Sequence, residues 1–254
     1  MQNYKKRYGQ HFLHDKNIIK KIIMSIGPKE NDYFLEIGPG EGALTDSLLK
    51  KTEHVTLIEK DKDLIPSLKN KYCIFRKVKL LNSDILKVNL EDHVFTDTRL
   101  IGNLPYNIST EILFKLLPIS SRIKDMHFML QKEVVDRIVA KPGSKTFGRL
   151  SIMTQVYFDV LKLFDISPDV FVPKPKIQSS YIRLIPKTSQ FESNLCENNF
   201  KKIVTKAFTA RRKMIKTSLK DYLDIEILKT LSINPNARPE VLSVNDFLKM
   251  AEHV

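Results

Sequence analysis

Tryptophan is absent from this 254-residue chain, and cysteine occurs only twice. Cys73 and Cys196 are too few and too far apart for a disulfide framework or a thiolate zinc site, so they read as small apolar residues of a reduced, cytoplasmic protein. No run approaches the ~20 apolar residues of a membrane-spanning helix. The opening stretch, Met1 to Arg7, is followed by no apolar core of an export signal. The six histidines are scattered without metal-ligand spacing, His11 and His14 being the nearest pair, and no metal is expected. Internal repeats and low-complexity tracts are missing too. Glycine is scarce, eight residues in all, yet Gly38, Gly40 and Gly42 fall almost together.

Acidic residues are the minority, 29 against 42 basic ones, for a net charge of +13. The excess is clustered. Lys201 to Lys220 holds eight basic residues and no acid, and Met1 to Lys21 holds six against the single Asp15. A merely solvated face mixes signs to limit self-repulsion, so two one-signed stretches favour a polyanion partner. A membrane surface is the rival, but no basic amphipathic helix with Phe anchors supports it. Nucleic acid is the expected partner.

Apolar residues recur at the period of alternating strands and helices. Asp15 is placed to cap a helix through Ile26 whose stripe is Ile18, Ile19, Ile22 and Ile23. Strands are expected at Tyr33–Ile37, His54–Ile58, Val78–Leu81, Arg99–Gly102 and Asp125–Leu130. Helices are expected at Ala43–Lys50, Asp63–Lys69, Thr110–Leu117 and Lys132–Val139. This alternation predicts an α/β fold with a mostly parallel sheet covered by helices on both faces. Tyr181–Ile185 alternates apolar with polar residues, as an edge or antiparallel strand would. After Pro186 the texture becomes helical. The expected division is 1–186 for the sheet domain and 187–254 for a small C-terminal α-helical domain.

Glu36-Ile37-Gly38-Pro39-Gly40-Glu41-Gly42-Ala43 follows the first of these strands and opens a helix. Gly38, Gly40 and Ala43 fit the dinucleotide fingerprint, and the same turn serves S-adenosylmethionine or no ligand at all. The acids choose between cofactors. Glu36 would set a negative charge where a pyrophosphate sits, which suits a cationic ligand better. Glu59 ends the next strand, placed for ribose hydroxyls. Asp84 follows the third, placed to accept from an adenine amine, while Asp61 and Asp63 read as helix caps.

Asn103-Leu104-Pro105-Tyr106 closes a buried strand with an amide, a rigid turn and a ring. An amide oxygen beside an aromatic ring suits an exocyclic amine on a nucleobase. An ordinary strand-exit turn fits the same four residues.

Gly9-Gln10-His11-Phe12-Leu13, the Glu36–Gly42 turn, Asn103-Leu104-Pro105-Tyr106-Asn107-Ile108-Ser109 and Phe171-Val172-Pro173-Lys174-Pro175-Lys176-Ile177 occur in that order. Together they resemble the rRNA adenine dimethyltransferases, and Met129–Val134 with Gly148–Ser151 resemble the small-subunit branch. That family implies a Rossmann-like, S-adenosylmethionine-dependent methyltransferase domain. It further implies N6,N6-dimethylation of two adjacent adenosines in a 3′-terminal hairpin loop of 16S rRNA, in the small ribosomal subunit; a monomer is expected. By the resemblance, His11 and Leu13 line the cofactor cleft, Gly38 lies under the methionine, Glu59 holds the ribose and Asp84 the adenine amine. Asn103 and the Leu104 carbonyl would hold the target amine, with Tyr106 stacked on its base. Phe171 is the family's second stacking residue, or equally a hydrophobic plug before Pro173. Lys5, Lys6, Arg7, Arg211, Arg212 and Lys213 would meet RNA phosphates. His11 and Ile177 depart from the commoner asparagine and valine. A large-subunit dimethyltransferase, a non-catalytic RNA-binding factor and an oxidoreductase are the alternatives, in falling order of fit.

Overall fold

A computed structural model describes residues 11–254. Along the chain come β1 (Phe12–Leu13), α1 (Lys16–Ile26), β2 (Phe34–Ile37), α2 (Thr45–Leu48), β3 (Val55–Glu59), α3 (Ile65–Tyr72), β4 (Val78–Asn82) and β5 (Thr98–Asn103). Then follow α4 (Ser109–Leu116), β6 (Ile123–Gln131), α5 (Lys132–Ile138), α6 (Arg149–Gln155), β7 (Phe158–Ile166), β8 (Phe171–Val172) and β9 (Ser179–Pro186). The last helices are α7 (Asn194–Thr209), α8 (Ile215–Ser218), α9 (Ile225–Thr230) and α10 (Val244–Ala251).

Local chemistry sets the ends of α1. The Asp15 carboxylate accepts from the backbone N–H of Asn17 and Ile18, satisfying donors that a helix start leaves orphaned. Gly27, at φ 58°, ends the helix in the left-handed conformation. Asp61 and Asp63 are not helix caps. Leu64 stands at the N-cap of α3 without a side-chain bond, and Asp61 instead closes a local turn by accepting from Asp63 N at 3.2 Å.

Seven strands form one sheet in the order β4-β3-β2-β5-β6-β9-β7. Strands β4 through β6 run parallel, and β9 is antiparallel to β6. Every residue of β2 is buried, as are Thr98 to Gly102 of β5, which requires cover on both faces. The chain winds outward from β2 to β3 and β4, then restarts on the other side at β5. The point where the winding reverses therefore lies between β2 and β5, and open α/β sheets bind ligands outside the carboxyl ends of the strands there.

The chain divides into two compact units, Met1–Val135 with Leu161–Pro186, and Asp136–Val160 with Lys187–Val254. The sequence reading has one boundary, at 186/187. The structure adds Asp136–Val160 to the second unit because polar bonds tie that segment to the later helices. Gly143 N donates to Glu240 O at 2.8 Å, Arg211 Nη2 to Lys145 O at 2.8 Å and Lys187 Nζ to Gln155 O at 2.9 Å. Phe147, Ile152, Phe200, Ile203 and Phe247 are fully buried within it. In the first unit, one apolar cluster runs from Ile22 and Phe34 to Ile101, Met129 and Tyr181. Among the described residues no helix is long and apolar enough to cross a membrane.

Candidate active site

The first unit carries a cleft at the carboxyl ends of β2, β3, β4 and β5, and Gly38, Glu59, Asp84 and Asn103 all line it. The glycine turn reaches it by close approach. Gly38 adopts φ +67°, and a Cβ on Gly40 would stand 2.8 Å from the Phe12 ring. Only glycine fits both the backbone and the space. Gly102 serves the same end differently: a Cβ there would stand 2.5 Å from the Ile37 carbonyl oxygen, so β2 and β5 could not pair this closely.

The three acids sit at successive strand ends, each in a different electrostatic state. Glu36 is buried, accepts from Thr45 Oγ1 at 2.6 Å, and burial pushes it up to about 7. Its charge near neutral pH is therefore partial, less than the sequence reading assumed. A nearby cation would restore it. Glu59 accepts from Gly40 N at 3.1 Å through one oxygen and from Asp61 N at 2.7 Å through the other. Burial raises its pKa, and these backbone donors oppose the rise. Asp84 is held below its ordinary value by Lys60, whose ammonium lies 2.7 Å away. An amine approaching Asp84 would meet that ion pair.

Asn103 shows the most directed geometry. Its Nδ2 donates to the backbone carbonyl of His11 at 2.7 Å, which fixes the amide so that Oδ1 is the atom left to accept. Leu104 N donates to Met129 O at 3.1 Å, pinning the following peptide. Tyr106 bonds Ser179 Oγ through its hydroxyl at 2.6 Å. The His11 ring stacks against it at 5.4 Å between centroids and 29° between planes. His11 Nδ1 lies 2.6 Å from Pro173 O. One residue thus touches the amide, the ring and the 171–177 segment.

His11 and Leu13 line the cleft as expected, but Phe171 does not. It pairs with Leu13 across the two-stranded β1–β8 ribbon and is 2% exposed within the apolar cluster. In this structure Phe171 is packed as a plug would be. Lys5, Lys6 and Arg7 lie outside the described residues. In the second unit Arg211, Arg212 and Lys213 are exposed at the end of α7, yet they differ. Arg211 Nε donates to Glu240 at 2.7 Å and its Nη2 to Lys145 O, so much of its guanidinium is already engaged. Sequence reasoning missed Lys60 and Ser83, which also line the cleft. Their only sequence signal is adjacency to Glu59 and Asp84.

The ribosomal RNA adenine dimethylase family matches the chain over residues 1–254. Two curated relatives are each called ribosomal RNA small subunit methyltransferase A. The one from Hahella chejuensis is 42% identical over 252 residues, covering 98% of this chain and 92% of that protein. That from Nitrosococcus oceani is 43% identical over 251 residues, with 98% and 95% coverage. Among solved structures, a dimethyladenosine transferase from Plasmodium falciparum superposes with a TM-score of 0.82 at 27% identity, covering 94% of this chain and 96% of the other. The 23S rRNA methyltransferase ErmE shares the fold at a TM-score of 0.74 and 23% identity, covering 95% and 98%. The sheet is accordingly a Rossmann-like methyltransferase sheet. With a match along its whole length and three of the four ordered motifs lining one cleft, the chain belongs to the ribosomal RNA adenine dimethylase family.

Proposed function

We propose that this protein dimethylates N6 of two adjacent adenosines in the 3′-terminal hairpin loop of small-subunit rRNA, with S-adenosylmethionine as methyl donor. The observation that carries the reading is the Asn103 amide, oriented by the His11 carbonyl at 2.7 Å with its oxygen left to accept, on the same cleft as Tyr106.

The cleft suits an adenosyl sulfonium. Glu59, already fixed by two backbone donors, keeps lone pairs for two ribose hydroxyls. Glu36 regains charge beside a cation. Gly38 and Gly40 let the backbone come close, with His11 and Leu13 on the rim, and Asp84 is placed for the adenine amine once Lys60 shares it. Bound there, S-adenosylmethionine supplies an electrophilic methyl group. The residues of the chain act on the acceptor. An exocyclic adenine nitrogen is a poor nucleophile because its lone pair is conjugated with the ring. Hydrogen bonds from its N–H groups to Asn103 Oδ1 and the Leu104 carbonyl favour a pyramidal nitrogen and stabilise the positive charge that develops on it. The Tyr106 ring, anchored at Ser179, offers a stacking face that also favours a cation. Deprotonation needs no side-chain base, since the methylated ammonium is a strong acid in contact with water. The target base must leave its stack to enter, as a loop adenosine can. Arg212 and Lys213 would hold phosphates without reading sequence.

The test is incubation with methyl-labelled donor and small subunits that lack the modification. Label is expected in dimethyladenosine of small-subunit RNA. Label confined to large-subunit RNA, or none, overturns the reading.

A further inference from the structure

The fingerprint needs Gly38, Gly40 and Ala43, and leaves Gly42 unexplained. Gly42 is not on the cleft wall, although Gly40 and Glu41 are. Its environment lies behind the turn. A Cβ on Gly42 would stand 1.9 Å from Tyr72 Oη and 3.3 Å from Lys71 Nζ. These two side chains come from the last turn of α3 and grip the turn's outer surface. Lys71 Nζ donates to the Glu41 carbonyl at 2.9 Å, and Tyr72 Oη to the Gly42 carbonyl at 3.3 Å. Both also donate to one carboxylate, Asp46 of α2, at 2.6 Å and 2.8 Å, so the single phenolic proton of Tyr72 is shared, with Asp46 its main acceptor and the Gly42 carbonyl the weaker one. Tyr72 is buried, and its ring belongs to the main apolar cluster.

We propose that Tyr72, Lys71 and Asp46 form a clamp that sets the glycine turn at the height the methyl donor requires, making Tyr72 a positioning residue for a ligand it does not touch. The proposal rests on the adenosyl-donor reading above. Its physical basis is that a turn with three glycines at positive φ has many conformations to lose on binding. Two carbonyls held from behind leave fewer to lose. Glycine at 42 follows from its φ of +86° and from the side chains packed behind it, not from contact with the ligand.

The probe is S-adenosylhomocysteine, titrated calorimetrically into the full chain. Tyr72→Phe keeps the ring and removes the shared hydroxyl bond to Asp46 and the Gly42 carbonyl. Its Kd should rise about three- to tenfold, the scale of one or two lost hydrogen bonds. In steady-state assays the donor KM should rise alike, with kcat and RNA affinity unchanged. Lys71→Met, at an exposed position, provides a second variant if Tyr72→Phe fails to fold, with the same expectation. Unchanged Kd in the folded variants, with only the melting temperature lowered, overturns the clamp and makes these residues structural. Failure of the wild type to bind would overturn the adenosyl-donor reading, and the clamp with it.

Discussion

The two ends of strand β5 treat polar groups in opposite ways. At the amino end Arg99 is buried and almost fully spent. It makes a two-pronged contact with Asp125, bonds Asp32 at 2.7 Å, and donates to the Ile26 carbonyl at 2.6 Å. Burial alone would raise the pKa of Asp125, but bonds from His127 and Arg99 hold it far below the usual range. At the carboxyl end, four residues later, Asn103 uses its amide nitrogen and keeps its oxygen. The closed end is a network in which Arg99 and the two carboxylates satisfy one another. The open end keeps acceptors in reserve, and that reserve is what a ligand can use.

Arg99→Met tests the closed end most severely. It removes the guanidinium that Asp32 and Asp125 share, leaving Asp32 to Lys124 and the Lys29 N–H and Asp125 to His127, so the unfolding free energy should fall by about 3 kcal/mol. Urea titration measures this, and activity per folded molecule should persist. Asn103→Ala is the converse. Methyl transfer should drop by about 10²–10³-fold, while stability changes by less than about 1 kcal/mol and RNA affinity stays nearly constant. If RNA affinity collapsed with turnover, Asn103 would belong to the structural class instead.

Glu36 tests the boundary between the classes, since it is buried like the closed end yet lines the cleft. Burial raises it from 4.5 to about 7. The folded chain therefore keeps a proton that the unfolded chain has released across that interval, and its contribution to stability is lost as pH rises through it. Glu36→Gln should flatten the melting-temperature profile between about pH 5 and about pH 8, and be relatively more stable at the alkaline end. An unaltered slope would show that Glu36 is not the titrating group. The smallest effect concerns RNA. Arg212→Ala or Lys213→Ala should each reduce the slope of log affinity against log salt by about 0.7. Arg211→Ala should change it less, because Arg211 is already paired with Glu240.

Much of the fold was legible because it is written in local periods. The α1 stripe with its Asp15 cap, the strand runs and the glycine turn each depend on neighbours within a few residues. Three acids at three strand ends were legible for the same reason. What the sequence concealed depends on distant partners. Arg99 looked like the flank of an apolar strand, and nothing local announces Asp32 or Asp125, 67 and 26 residues away. Tyr72 meets Gly42 across 30 residues. Strand β7 carries Asp159, Lys162 and Asp165 among its apolar residues and gave no clean alternation. The motif reading of Phe171 could not register its pairing with Leu13. Within Arg211–Lys213 the composition is uniform, and only the position of Glu240 separates the first residue from the others.

The β1–β8 ribbon has a consequence for how the protein comes into being. His11 meets Pro173 across 162 residues, and the same residue orients Asn103 across 92. Strands β2 to β6 can pair over shorter loops, whose closure costs less entropy and comes sooner. The amide that would hold the target adenine is therefore among the last groups to be oriented as the chain folds. A nascent chain short of Pro173 has the parallel strands β2 to β6 and the glycine turn, lacks β9, and has no finished cleft.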